Sequence, residues 1–242
     1  MSKVAIVTGA TKGIGKAISA RLLKEGWEVI ITYSSDAETA NVTYSEFCET
    51  APGRVHMLQA DNSDLNSIEI IDGFLGEHNM TVDAMIFNGG MTDRSDFHSI
   101  KLENWTKVFT ANVHFPVFLL QKIYPRMNEK GSVVFTGSLM AIQPHSVSLA
   151  YGVTKASIHA LVKNLVKFFT EKQIRINAVA PGFVDTEWQK NKPAEIRNNI
   201  TNKIALGRFC TPEELTDVYM LLINNQYMNG EIVVCDGGYS YK

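Results

Sequence analysis

Val4-Ala5-Ile6-Val7 runs straight into Thr8-Gly9-Ala10-Thr11-Lys12-Gly13-Ile14-Gly15, and from about Gly13 to Glu25 the chain carries an amphipathic helical pattern. A short apolar run bounded by glycine reads as a strand covered on both faces. Strand, glycine-rich turn and helix, in that order, open a βαβ unit. The glycines let the backbone turn tightly and approach a pyrophosphate, while the helix start offers unpaired N–H groups and a partial positive charge. The spacing is G-x3-G-x-G rather than G-x-G-x-x-G, and the turn alone also suits an ordinary strand–helix connection.

Outward from this turn, β-rich runs keep alternating with longer helical stretches. Val29 to Tyr33, Val55 to Leu58, Ala84 to Phe87, Val133 to Thr136, Ile174 to Val179 and Ile232 to Cys235 read as further strands. No repeat, low-complexity tract or linker interrupts them. The pattern predicts an α/β fold: one doubly wound Rossmann-type domain over residues 1–242, with a seven-stranded parallel sheet and helices on both faces. Ligands are expected beyond the carboxyl ends of the strands.

Composition narrows the function. The 242 residues are 45% hydrophobic, enough for one large core, and the net charge of −2 gives no basic field for nucleic acid. Cys48, Cys210 and Cys235 are odd in number and widely spaced, so free thiols in a reducing cytosol are expected. The start, Met1-Ser2-Lys3-Val4, shows no signal-peptide region, and no apolar run approaches a membrane span, so a soluble cytoplasmic protein is expected. No metal-ligand spacing occurs, and the six histidines receive no role, although His98, His114 and His145 lie near the candidate site in sequence.

Two features carry chemistry. Tyr151 and Lys155 are four apart in a helical run reaching Phe169, which places them one turn apart on one face. A free tyrosine titrates near pH ~10, and an adjacent ammonium would lower that value toward a useful proton donor. Y-x-x-x-K is common on exposed helices. Ser138 adds weight, because it follows the strand ending at Thr136, where such a sheet presents ligands. Asn112, polar within a helical pattern, reads by itself as a residue bonding its own backbone. At the end of the second strand an acid would select NAD(H); here Tyr33, Ser34 and Ser35 precede the first carboxylate, Asp36, and Lys12 lies in the glycine turn. This favours NADP(H), with NAD(H) left open should the turn bring Asp36 back.

Taken together these residues resemble the short-chain dehydrogenases/reductases over essentially the whole chain. The resemblance rests on the glycine turn, Asp61, Asn88-Gly89-Gly90, Asn112, Ser138, Tyr151, Lys155, Pro181-Gly182-Phe183-Val184-Asp185-Thr186 and Asp236-Gly237-Gly238. It implies an NAD(P)-dependent oxidoreductase in which Tyr151 is the proton donor and Lys155 binds the nicotinamide ribose and lowers the Tyr151 pKa. Ser138 would orient the substrate oxygen, and Asn112 would hold a water linking Lys155 to solvent. It also implies cofactor contacts from Gly9, Thr11, Lys12, Gly13, Ile14, Gly15, Ser34, Asp61, Asn62, Asn88, Gly89, Gly90, Pro181, Gly182, Val184 and Thr186, besides Tyr151 and Lys155. Two departures stand out: Phe87 replaces the first Asn of the usual N-N-A-G, and Gly137 precedes Ser138 where a second Ser is common.

Within the family the chain is most similar to 3-oxoacyl-[acyl-carrier-protein] reductases, through Pro181 to Thr186, Gly207-Arg208-Phe209 with Pro212-Glu213-Glu214, and Asn229-Gly230-Glu231. That implies reduction of an acyl-thioester ketone and an acidic carrier protein as partner. Lys172 sits at a plausible docking site, but Asn128-Glu129-Lys130 mixes acid with base. Enoyl reduction is disfavoured, since that branch spaces Tyr and Lys more widely and position 158 is Ile158. Residues 186–206 are expected to form a helical lid, with Trp188, Phe183 and Met91 as pocket walls or plain packing. The last strand implies a homotetramer. Two rivals remain: a non-catalytic dinucleotide sensor, and a family member oxidising a sugar, steroid or small hydroxy acid.

Overall fold

The computed structural model of the chain describes residues 2–143 and 148–242. The chain runs β1 (Val4–Val7), α1 (Gly13–Lys24), β2 (Glu28–Tyr33), α2 (Ala37–Thr50), β3 (Val55–Gln59), α3 (Ser67–Glu77) and β4 (Val82–Phe87). After β4 come α4 (Leu102–Phe109), a π-helical turn (Thr110–His114), α5 (Phe115–Ile123), β5 (Met127–Thr136) and α6 (Leu149–Leu165). The last part holds β6 (Arg175–Pro181), α7 (Glu187–Lys190), α8 (Ala194–Lys203), α9 (Pro212–Asn224) and β7 (Ile232–Cys235).

All seven strands pair in parallel in the order β3-β2-β1-β4-β5-β6-β7. The order reverses between β1 and β4, which opens a crevice there at the strands' carboxyl ends. Strand periodicity builds two cores. Ile6, Ile30, Val133 and Phe135 pack under α3, α5 and α6 through Ile71, Leu119 and Ile158. Their neighbours Ala5, Val7, Val29, Ile31 and Val134 face α1 and α9 through Leu22, Leu215 and Tyr219. Side chains alternate faces along a strand, so an unbroken apolar run is what a sheet buried on both sides demands.

The sequence reading placed all seven strands but began β5 at Val133. The strand starts at Met127, which pairs with Val82 ahead of a register irregularity where Asn128 Nδ2 donates to Asp83 Oδ1 at 2.8 Å. A polar stretch holding a bulge has no apolar period to read. The same region removes Lys172 as a free docking cation. Its ammonium donates to the carbonyls of Tyr124, Pro125 and Met127 at 3.0, 3.0 and 2.8 Å. That charge closes off the chain end after α5. No helix among the described residues is long and apolar enough to cross a membrane.

Candidate active site

The crevice is a cleft of about 610 Å³ over the carboxyl ends of β1, β2, β4, β5 and β6, within the usual range for small-molecule sites. At one end the glycine turn folds against β4. Gly9 has φ +60, and a Cβ there would lie 2.7 Å from Gly89 Cα. Asn88 Nδ2 donates to Gly9 O at 2.9 Å, while Thr8 Oγ1 accepts from the amides of Asn88 and Gly89 at 3.1 and 3.0 Å. Gly9, Thr11, Lys12, Gly13 and Ile14 line the cleft. The amides of the first turn of α1 have no partner inside their own helix, so this donor set fits a pyrophosphate. Gly15 is not on the wall. A Cβ there would come within 2.3 Å of Gly9 O, so its place is the close packing behind the turn.

Further along, Tyr33, Ser34, Asp36, Asp61 and Asn62 line the cleft where β2 and β3 end. Asp36 caps α2 by accepting from Thr39 N at 3.1 Å, and this cap returns its carboxylate to the glycine turn. There Lys12 Nζ lies 2.6 Å from Asp36 Oδ2. The Lys12 ammonium and the Thr39 amide hold the Asp36 carboxyl down at about 2. The turn does bring Asp36 back, so Lys12 carries a carboxylate beside it rather than standing free, and the geometry of the free cleft leaves NAD(H) open beside NADP(H). Asp61 closes a turn on Ser63, and Asn62 Nδ2 donates to Gly89 O at 3.2 Å.

At the other end β5 delivers Ser138 and α6 delivers Tyr151 and Lys155, all on the cleft wall. Ser148 caps α6 through Tyr151 N, which fixes the angle at which the phenol enters. The phenol is half-buried and faces the Ser138 hydroxyl, whose own oxygen accepts from Met140 N at 3.1 Å. Burial pushes it up to about 12, the Ser138 hydroxyl opposing, and burial pushes the Lys155 ammonium down to about 8. The expected lowering of the phenol by its lysine is thus corrected for the free cleft. Lys155 Nζ donates to Thr136 O at 2.6 Å and lies 5.5 Å from the Tyr151 ring centre, so its charge is aimed at the strand end rather than at the hydroxyl.

Asn112 is not a helix residue bonding its own backbone. Its Nδ2 donates to Met91 O and to Thr154 Oγ1, both at 2.9 Å, and its Oδ1 accepts from Met91 N at 2.8 Å. The side chain clips the segment after β4 to α6. It sits in the π-helical turn, and Pro116 four residues on has no N–H to donate to the Asn112 carbonyl.

Pro181, Gly182, Val184 and Thr186 line the far wall where β6 ends, joined by Met91, Phe183 and Trp188. Trp188 stands edge-on to Tyr151, ring centres 5.8 Å apart. The expected lid is α7 and α8, two helices separated by a turn. His145 lies outside the described residues. His159, given no role by sequence, lies beside Ser138.

A family model described as enoyl-(acyl carrier protein) reductase matches residues 9–240. The 3-oxoacyl-[acyl-carrier-protein] reductase of Thermotoga maritima is 30% identical, over 98% of this chain and 97% of its own. Glucose 1-dehydrogenase 2 of Bacillus subtilis is 32% identical, over 98% and 94%. A solved short-chain dehydrogenase from Burkholderia cenocepacia, in complex with NADP, superposes with a TM-score of 0.91 at 25% identity, covering 98% of both chains.

Proposed function

Since the chain belongs to the short-chain dehydrogenase/reductase family, we propose that it is an NADP(H)-dependent reductase turning the ketone of a 3-oxoacyl thioester into a secondary alcohol. The observation that carries this reading is that Ser138 and Tyr151 face one another on the cleft wall, with Lys155 one helical turn further on. A hydroxyl and a phenol that already meet can both point at one substrate oxygen.

When bound, the dinucleotide supplies the hydride and, once oxidised, a positive ring beside the phenol. The residues do the rest. Ser138 Oγ holds the carbonyl oxygen, and Tyr151 gives it a proton as negative charge develops. At neutral pH both Tyr151 and Lys155 keep their protons, with values of about 12 and about 8, the state that reduction requires. Lys155 would then return a proton to Tyr151, and Asn112 would hold a water able to refill Lys155 from solvent. Gly9, Thr11, Gly13 and Ile14 would hold the pyrophosphate, Asp61, Asn62, Asn88, Gly89 and Gly90 the adenosine, and Pro181, Gly182, Val184 and Thr186 the nicotinamide. Lys12 and Ser34 would meet the 2′-phosphate, Lys12 giving up Asp36 to do so.

The Thermotoga and Burkholderia relatives support the thioester and NADP parts of this reading. The Bacillus glucose dehydrogenase supports a second reading, oxidation of a sugar alcohol. Measuring kcat/KM for acetoacetyl thioester reduction against a panel of sugars and steroids decides between them; activity on the panel alone overturns the first. With Lys172 committed internally, an acyl carrier protein would have to dock through other cations. We extend the proposal to a cytoplasmic homotetramer. Edge strand β7 with exposed Val234, and exposed Phe118 and Val153 on α5 and α6, offer apolar surface for association. Light scattering giving a monomer mass would overturn that part.

A further inference from the structure

Thr136, Gly137 and Ser138 leave the sheet in succession. Gly137 N makes the last bond of the ladder, to Val179 O at 2.7 Å. Ser138 N lies beyond it, where no strand offers a carbonyl, yet a backbone amide in a closed site needs an acceptor. His159 Nε2 provides one, 3.4 Å from Ser138 N. The imidazole rises from α6 two turns beyond Tyr151 and one beyond Lys155, so phenol, ammonium and imidazole share one helical stripe.

Gly137 is what makes room for it. A Cβ at position 137 would lie 2.3 Å from His159 Nε2 and 2.9 Å from its Cδ2. Any side chain there would expel the ring, so the small residue and the large one form a matched pair. This accounts for the Gly137 departure. To accept from an amide, Nε2 must be unprotonated and the ring neutral, with its proton on Nδ1. Burial, and then the charges of Lys155 and Lys163, hold the ring down at about 4, so it is neutral at the pH where the site works.

We infer that His159 is a positioning residue: as a neutral imidazole seated on Gly137, it accepts the Ser138 amide and so fixes the hydroxyl that meets Tyr151. The kinetic part of this inference rests on the reductase reading; the tautomer does not. His159→Leu removes the acceptor at similar bulk, and His159→Gln restores one. The Leu variant should lose about fivefold in kcat with KM for NADPH unchanged, and the Gln variant should recover most of that loss. Equal losses in both variants, or full activity in Leu, would overturn it. Should either variant fail to fold, ring ¹⁵N shifts of histidine-labelled wild-type protein at pH 7 still decide. A bare Nε2 for His159 upholds the inference, and a protonated Nε2 defeats it. Absence of any ketone reduction in wild type would sink the reductase reading while leaving the NMR outcome to judge His159.

Discussion

The nucleotide end of the cleft is walled largely by main chain, and the chemistry end by side chains. Around Gly9 the geometry is set by backbone contacts, a Thr8 hydroxyl receiving two amides and an Asn88 amide tying down Gly9 O. Around Ser138 it is set by three side chains of α6, one cap and the lid residue Trp188. A main-chain wall tolerates few residue types, because even a methyl group collides. A side-chain wall can be changed one group at a time without disturbing the fold. Affinity for the dinucleotide and rate of the chemistry should therefore be separable by mutation.

The sharpest way to break that separation is Tyr151→Phe. It removes the proton donor and leaves the ring packed against Trp188. The turnover number should fall about 10²- to 10⁴-fold, with the NADPH dissociation constant, read by fluorescence, unchanged. Gly15→Ala strikes the opposite end. Its Cβ would sit 2.3 Å from Gly9 O and 2.6 Å from Asn88 Nδ2. Neither the main-chain oxygen nor the doubly bonded amide can yield cheaply. Overpacking should cost about 1–3 kcal/mol of stability, read as a lower midpoint in urea, and should weaken NADPH binding more than turnover. If Gly15→Ala binds NADPH normally, the nucleotide end is softer than its backbone walls suggest.

These two ends were not equally legible in the sequence. The glycine turn announced itself because close backbone approach restricts the residue at Gly9, and Tyr151 with Lys155 because i,i+4 spacing has a simple geometry. The sheet was readable because both of its faces are buried. What stayed hidden depends on contacts between distant segments. Asp36 looked remote until the α2 cap returned it to Lys12, Lys172 looked free until three carbonyls surrounded it, and His159 had no visible partner because its partner is a main-chain amide. The phenol's rise to about 12 was equally invisible, since burial cannot be read from i,i+4 spacing.

Between the ends, Lys155 sharpens the contrast through pH. Burial lowers its ammonium from the ordinary value to about 8. Below that the proton is held, and above it the ammonium is lost while Tyr151 is still protonated. The free enzyme's kcat/KM for reduction should therefore fall above pH 8, by up to about tenfold per unit, and a flat profile to pH 10 would show that the ammonium is not needed. Tyr219, fully buried on α9, reaches Thr136 Oγ1 at 2.7 Å, and Thr136 Oγ1 lies 3.4 Å from Asn88 Oδ1. This thread joins the two ends from behind. Tyr219→Phe removes one buried hydrogen bond, about 1 kcal/mol. It should raise KM for NADPH and lower kcat together, by a few-fold each, whereas an effect on one alone would show the thread serves a single end.

The smallest expected effect tests an exposed ion pair on the nucleotide wall. Lys12 and Asp36 are both about half exposed, and solvent screening leaves such pairs contributing little to stability. The carboxylate nevertheless competes with any phosphate for the same ammonium and repels it as well. Asp36→Asn keeps the α2 cap, since an amide oxygen can still accept from Thr39 N, while it removes the charge. The ratio of kcat/KM for NADPH over NADH should rise about two- to fivefold, with little change in thermal stability and none in kcat. A fall in that ratio would mean that the carboxylate recruits Lys12 rather than competing for it. The pair would then be a positioning device for the 2′-phosphate, and the nucleotide end would depend on side chains as much as the chemistry end does.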